Sequence, residues 1–245
     1  MLKIPEMTMR ERAFGYPYDA PQGAYLLQNG YQLALSEEYD FSGRVAVLSV
    51  GSNRAPAQLY RKFGGEAEVP VTPVKVQDCD IVHVANLADY GAVPCSAFPC
   101  AGASITLNIA WLLPDQLAVM HATESLGEAY DWVEWDRGAI TALSHHLPDR
   151  LFGYSAIAGA FNISGEGPFA LDKIAATDRQ FAEASQYQIQ EQIFAAIGRN
   201  APDLDSFVAQ VQKDASLRQS IRQLLGEQAV LPENPPWKIS ADLKG

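Results

Sequence analysis

The feature that most limits what this chain can become is the run of β-branched and apolar residues at 44–50, RVAVLSV, broken by Gly51-Ser52-Asn53 and then by Pro56. Residues of the first kind favour a buried strand, and Gly, Ser and Asn favour a turn. Proline in a first helical turn loses nothing, because those amides lack intrahelical partners anyway. The unit reads as a strand, a tight turn and a short helix over 56–63. Such a turn leaves several amides unpaired, and these form a ready site for a carboxylate or phosphate.

Further strands are expected at 69–76, where Pro70 and Pro73 mark an edge, at 80–86 and at 104–112. Residues 89–102, which hold two prolines, two cysteines and two glycines, read as the loop between the last two. A helical turn over 115–124 precedes a strand over 129–135 that carries Tyr130, Trp132 and Trp135. From 169 to about 226 the pattern is helical, with Ile189, Ile193 and Ile197 at four-residue spacing. Gly198 and Asn200 supply a stop, Asp203 or Asp205 a cap for a second helix, and Asp214 or Ser216 a cap for a third. Residues 232–245 read as extended, with Trp237 as an anchor. An α+β protein is expected, with an arm over 1–43 packed on a mixed β core over 44–168 and a helical extension over 169–245.

A net charge of -11 without any basic stripe argues against nucleic-acid binding, which rests on clustered Lys and Arg. No stretch has the length and apolarity of a membrane span, and residues 1–12 lack the apolar segment of a secretory signal, so a cytoplasmic protein without membrane association is expected. The odd count of cysteines, Cys79, Cys95 and Cys100, suits reduced thiols in such a compartment.

The order of strand, Gly-Ser-Asn turn, helix, several strands and then Ala122-Thr123-Glu124-Ser125 before a Tyr-containing strand resembles the γ-glutamylcyclotransferase-like superfamily over roughly 44–135. In that family a Tyr-Gly-Ser-Asn type loop follows the first strand and holds the γ-glutamyl portion of the substrate. Here the loop is Val50-Gly51-Ser52-Asn53, with Val50 where the family usually has Tyr. The family's catalytic Glu falls on Glu124, ahead of Gly127, Ala129 and Tyr130, with Ser125 where Gly commonly follows. The resemblance implies a mixed sheet or small barrel, catalysis by Glu124, and substrate contacts from Val50, Gly51, Ser52, Asn53 and Tyr130. It further implies formation of 5-oxoproline from a γ-glutamyl amine or related small amide, a carboxylate-bearing substrate, no metal and no organic cofactor.

Other readings stand beside this one. The same fold could serve as a catalytically inactive binding or assembly scaffold, with the C-terminal helices as the contact surface of a homodimer. Cys95 or Cys100 could form a thiol-imidazole pair with His83 or His121. His145 and His146 beside Asp149 could ligate a metal, although neighbouring histidines in a strand point to opposite faces and no third ligand is placed. Ser52 lacks the flanking glycines of a nucleophile elbow. Pterin pyrophosphokinases also end their first strand in Gly-Ser-Asn, but their later basic and aspartate-rich signature is missing from this sequence.

Overall fold

In the computed structural model, which describes residues 2–198 and 200–242, the chain opens with a short strand, β1 (Leu2–Lys3), and a helix, α1 (Met9–Gly15). Thr8 caps that helix: its hydroxyl accepts from Glu11 N, while the Glu11 carboxylate accepts from Thr8 N, so two orphan amides are satisfied reciprocally. A hairpin follows, β2 (Tyr25–Gln28) and β3 (Tyr31–Ala34), turning at Asn29 and Gly30, both at positive φ as a two-residue hairpin demands. The RVAVLSV run forms β4 (Val45–Ser49), and Pro56 opens α2 (Pro56–Phe63).

Two long strands come next, β5 (Glu68–His83) and β6 (Cys95–Leu112), paired antiparallel from Val71 to His83 with one bulge. The bulge leaves Asp78 at a φ of 53°, a conformation Asp tolerates, and its carboxylate accepts from Gly102 N at 2.8 Å. Beyond it lie α3 (Pro114–Thr123), β7 (Tyr130–Trp135), β8 (Ile140–Ala142) and β9 (Phe152–Ala156). Three short strands, β10 (Phe169–Leu171), β11 (Ala176–Thr177) and β12 (Ala182–Ala184), lead into the helices α4 (Gln186–Ile197), α5 (Leu204–Lys213) and α6 (Ala215–Glu227). The last element is β13 (Trp237–Ile239).

The strands form one mixed sheet in the order β1-β3-β2-β5-β6-β4-β9-β7-β13. Its path stays open among the described residues, so the α+β core is a sheet with two ends and not a barrel. Residues before 44 supply one end through β1 to β3. The other end is β13, where Trp237 packs on Trp135 with ring centroids 4.6 Å apart.

Three expectations need correction. Pro70 and Pro73 do not mark a sheet edge, because they lie in β5, which has partners on both sides. The physical reason is local. Pairing with β2 ends at Val71, pairing with β6 begins there, and β8 pairs only from Val74 on, so each proline has one open flank for its missing N–H. Residues 95–102, expected in a loop, belong to β6, since bulge and prolines bend this ladder without ending it. Residues 169–184, expected as helix, form β10 to β12, and the helical pattern begins only at Gln186.

Of the caps, Asp203 and Asp214 serve, each accepting amide hydrogens of the helix it precedes. Ile189 and Ile193 turn inward with Phe207, Val211, Ile221 and Leu225 onto Leu87, Val93 and Phe161, so the apolar faces of these helices complete a core of the same chain. Asp80, fully buried in β5, is gripped by Arg179, with Nε 2.7 Å from Oδ2 and Nη2 3.0 Å from Oδ1. That pair ties the β10 to β12 region to the sheet. No helix among the described residues is long and apolar enough to cross a membrane.

Candidate functional site

Val50 leaves β4, Gly51 turns the chain, and Ser52–Arg54 forms one 3-10 turn before α2. As the first residues of a turn, Ser52 and Asn53 have amides without an acceptor among the described residues. Gly51 is required by crowding and not by a left-handed backbone. A Cβ there would stand 2.6 Å from Cys95 Sγ and 2.7 Å from Tyr16 Oη.

Glu124 caps the C-terminal end of α3, its amide donating to Met120 O at 2.9 Å. The α2 and α3 helices pack together, which carries the Glu124 carboxylate to the Gly51–Asn53 loop. Asn53 Nδ2 donates to Glu124 Oε1 at 3.0 Å. Lys62 Nζ forms an ion pair with the same oxygen. Both contacts fall on Oε1, and Oε2 has no hydrogen-bond partner among the described residues. The Lys62 side chain is only 1% exposed, and burial holds its ammonium below the usual lysine range, against the pull of the Glu124 charge.

Glu124 lies where a narrow pocket of about 30 Å³ meets a wider cavity of about 380 Å³, and Tyr16, Ser52 and Tyr130 line both. Val50, Gly51, Asn53 and Cys95 belong to the narrow one. The six residues expected at the site, Val50, Gly51, Ser52, Asn53, Glu124 and Tyr130, thus meet around a single recess. Tyr16 Oη donates to Cys95 Sγ at 3.3 Å and accepts from Cys95 N at 3.1 Å. Burial drives the Tyr16 and Tyr130 hydroxyls well above the usual tyrosine range, so both are neutral at pH 7. Burial also pushes the Cys95 thiol up to about 12, although Tyr16 and the Arg54 guanidinium pull it down. It is therefore a neutral, inert thiol.

Two arginines on the wider cavity were not expected from the sequence. Arg12 lies 4.2 Å from the ring centroid of Tyr90, and its buried Nε has no acceptor among the described residues. Arg61, at the exposed rim, donates from Nε to Gln58 Oε1 at 3.1 Å. Neither is in an ion pair among the described residues, whereas Arg222 on the same wall holds Asp89 at 2.8 Å. Burial and the neighbouring Arg12 charge both lower Arg61 from its usual value. Two cations outside any ion pair among the described residues, on the wall of the wider cavity, form a place for an anionic group. Arg12, like Tyr16, comes from the arm before residue 44, where nothing in the local pattern marks either as a site residue.

The thiol-imidazole pairs are not formed. His83 Nε2 bonds Ala184 O at 2.9 Å, His121 Nδ1 bonds the Tyr154 hydroxyl at 2.8 Å, and the contacts of Cys95 are with Tyr16 and backbone. His145 and His146 set their rings edge-on against Phe41, and among the described residues no group of three or more His, Cys, Asp or Glu is arranged to hold a metal ion. All three cysteines are buried free thiols.

No family model matches the chain, and no curated protein does. Solved structures similar to it include the two that follow. An uncharacterized protein from Homo sapiens shares 10% identity over 82% of this chain and 96% of its own, with a TM-score of 0.41. The other, described as a gamma-glutamyl cyclotransferase, shares 10% identity over 82% of this chain and 95% of its own, with a TM-score of 0.37.

Proposed function

We propose that the chain is a γ-glutamyl cyclotransferase-type enzyme that needs no cofactor and forms 5-oxoproline from a γ-glutamyl amine or related small amide. The observation that carries this reading is the Asn53–Glu124 contact at 3.0 Å, which sets a carboxylate with one unengaged oxygen beside a loop of unpaired amides, at the mouth of a cavity.

The chemistry needs little else. Glu124 Oε2 takes a proton from the α-ammonium of the substrate, and the freed amine attacks its own γ-carbonyl carbon. A C–N bond forms, and the carbonyl oxygen becomes an oxyanion that the Ser52 and Asn53 amides are suited to stabilise. As the carbonyl reforms, the bond to the departing nitrogen breaks and Glu124 returns its proton there. The ring nitrogen loses its second proton to water. Ring closure is intramolecular, so holding the substrate folded supplies much of the rate. Lys62 and Asn53 keep the carboxylate in one orientation by occupying Oε1. Arg12 and Arg61 are placed to receive a substrate carboxylate through charge-assisted hydrogen bonds.

The buried Lys62 ion pair favours a second reading, a scaffold that keeps the fold without turnover, because Lys62 and Asn53 already hold one oxygen of the Glu124 carboxylate as a structural tie between α2 and α3. Incubation with a panel of γ-glutamyl amines and γ-glutamyl amino acids, with 5-oxoproline as the readout, separates the two. Turnover by the unmodified chain supports the enzyme, and a KM raised roughly tenfold in Arg61→Ala, with kcat little changed, supports the anion subsite. No 5-oxoproline from any member of the panel leaves the scaffold as the better account.

A further inference from the structure

Arg54 directly follows the Gly51–Asn53 loop, yet its side chain belongs to neither of the cavities at Glu124. It lines a separate cavity of about 370 Å³ with Lys173, Tyr18, Gln22 and Asp19. Only 8% of Arg54 is exposed. Its Nε donates to Asn108 Oδ1 at 2.8 Å, while neither Nη atom has a hydrogen bond or ion pair among the described residues. Neither Nη is sealed in the interior, which leaves the cavity as their outlet.

The layer behind Arg54 has the same imbalance. Ser49 and Asn108 are cross-strand partners in β4 and β6, both buried, and Ser49 Oγ and Asn108 Nδ2 have no hydrogen-bond partner among the described residues. This part of the core therefore holds groups able to donate and no carboxylate to receive them. Burying a guanidinium without a counter-charge is costly, and buried polar groups are nearly always satisfied. On the cavity wall Lys173 adds a second cation, its Nζ donating to Gly15 O at 3.1 Å. The acid on the wall, Asp19, is exposed and pairs with neither cation.

We propose that this cavity is a second binding site, distinct from the Glu124 recess, for the compact oxyanion of a small molecule, held by the Arg54 fork and Lys173. A planar guanidinium matches a carboxylate or a phosphate with two parallel hydrogen bonds, so the shared chemistry is a singly or doubly charged oxyanion. Gly51 lines this cavity as well as the narrow pocket, so the oxyanion and a ligand at Glu124 would touch the same peptide segment.

The test is the melting temperature of the full chain in inorganic phosphate, in malonate and in chloride at matched ionic strength. A ligand that binds only the folded state raises Tm by mass action, roughly 3–5 °C at ten times its Kd for a chain of this size. In an Arg61→Ala background, which removes one cation of the wider cavity, the expected result is that such a rise with at least one of the two oxyanions is retained, is lost on adding Arg54→Met and is roughly halved on adding Lys173→Met. The larger of the two rises tells a phosphate site from a carboxylate site. No rise above chloride in the unmodified chain overturns the proposal. So does a rise that survives Arg54→Met in the Arg61→Ala background, or one that disappears in Arg61→Ala itself, since that would move the anion to the wider cavity. Should Arg54→Met fail to fold, Lys173→Met decides: its side chain is at the surface, and an unchanged rise there also overturns the proposal.

Discussion

Asn53 Nδ2 lies 3.0 Å from Glu124 Oε1, joining a turn after β4 to the end of α3 across 71 residues of sequence. The contact is possible because α2 and α3 pack on each other and share one apolar cluster with the sheet, through Leu59, Leu117 and Met120. It makes the position of the carboxylate a consequence of helix packing, and it fixes which oxygen is left to accept a proton.

Replacing Glu124 by Gln keeps size and the bond from Asn53 while removing the proton acceptor. Turnover of a γ-glutamyl substrate is expected to fall by about two to four orders of magnitude with little change in KM. Steady-state rates of 5-oxoproline formation check this. Full activity in the variant would remove Glu124 from the mechanism.

A methyl group on Gly51 has nowhere to go, since Cys95 Sγ and Tyr16 Oη lie within 2.7 Å of its position and both are buried. Gly51→Ala should cost about 1–3 kcal/mol in urea unfolding, the range for overpacking a filled interior. Combining it with Tyr16→Phe, which removes the hydroxyl oxygen 2.7 Å from the added carbon, should recover part of that loss. A variant as stable as the parent would show that the loop is looser than its contacts imply.

Acid should weaken the fold through His83. Burial in β5 holds its imidazole down at about 4, with Nε2 on Ala184 O and Nδ1 unpartnered, so the ring is neutral and its Nε2–H donates. An unfolded chain takes up the proton near 6.5. The contribution is complete above that value and is lost as pH falls from 6.5 to about 4, because only the unfolded state gains a proton in that window. Between pH 7 and pH 4 the parent should lose about 3 kcal/mol more than His83→Gln. Urea titrations of both at the two pH values measure the difference, and equal losses would count against it.

Removing the Arg179 guanidinium leaves the Asp80 carboxylate fully buried without its counter-charge. Arg179→Met is expected to cost about 3–5 kcal/mol. The double variant Asp80→Asn, Arg179→Met should be more stable than the single one, because the uncompensated charge is then absent. Equal stabilities of single and double variants would show that the pair contributes by packing alone.

Elements whose causes are local were legible in the order of the residues alone. A β-branched run, a Gly-Ser-Asn break and Pro56 were enough for β4, the turn and α2, while the starts of α5 and α6 were bracketed by Asp203 or Asp205 and by Asp214 or Ser216, of which Asp203 and Asp214 cap. The Gly51–Asn53 turn was legible as an anion site, and Val50, Glu124 and Tyr130 joined it only through the resemblance; the structure gathers all six around one recess. Whatever depended on partners distant in the chain was decided only by the tertiary structure. Pro70 and Pro73 fit a central strand because its neighbours begin and end beside them, and that register is not written in β5. Residues 169–184 carry no strong alternation, and they become strands because β5, β6 and one another offer open ladder positions. Tyr16, Arg12, Lys62 and Arg54 acquire their meaning only from what burial brings against them. A side chain's charge is a local property, but whether that charge finds a partner is settled by the packing of the whole chain.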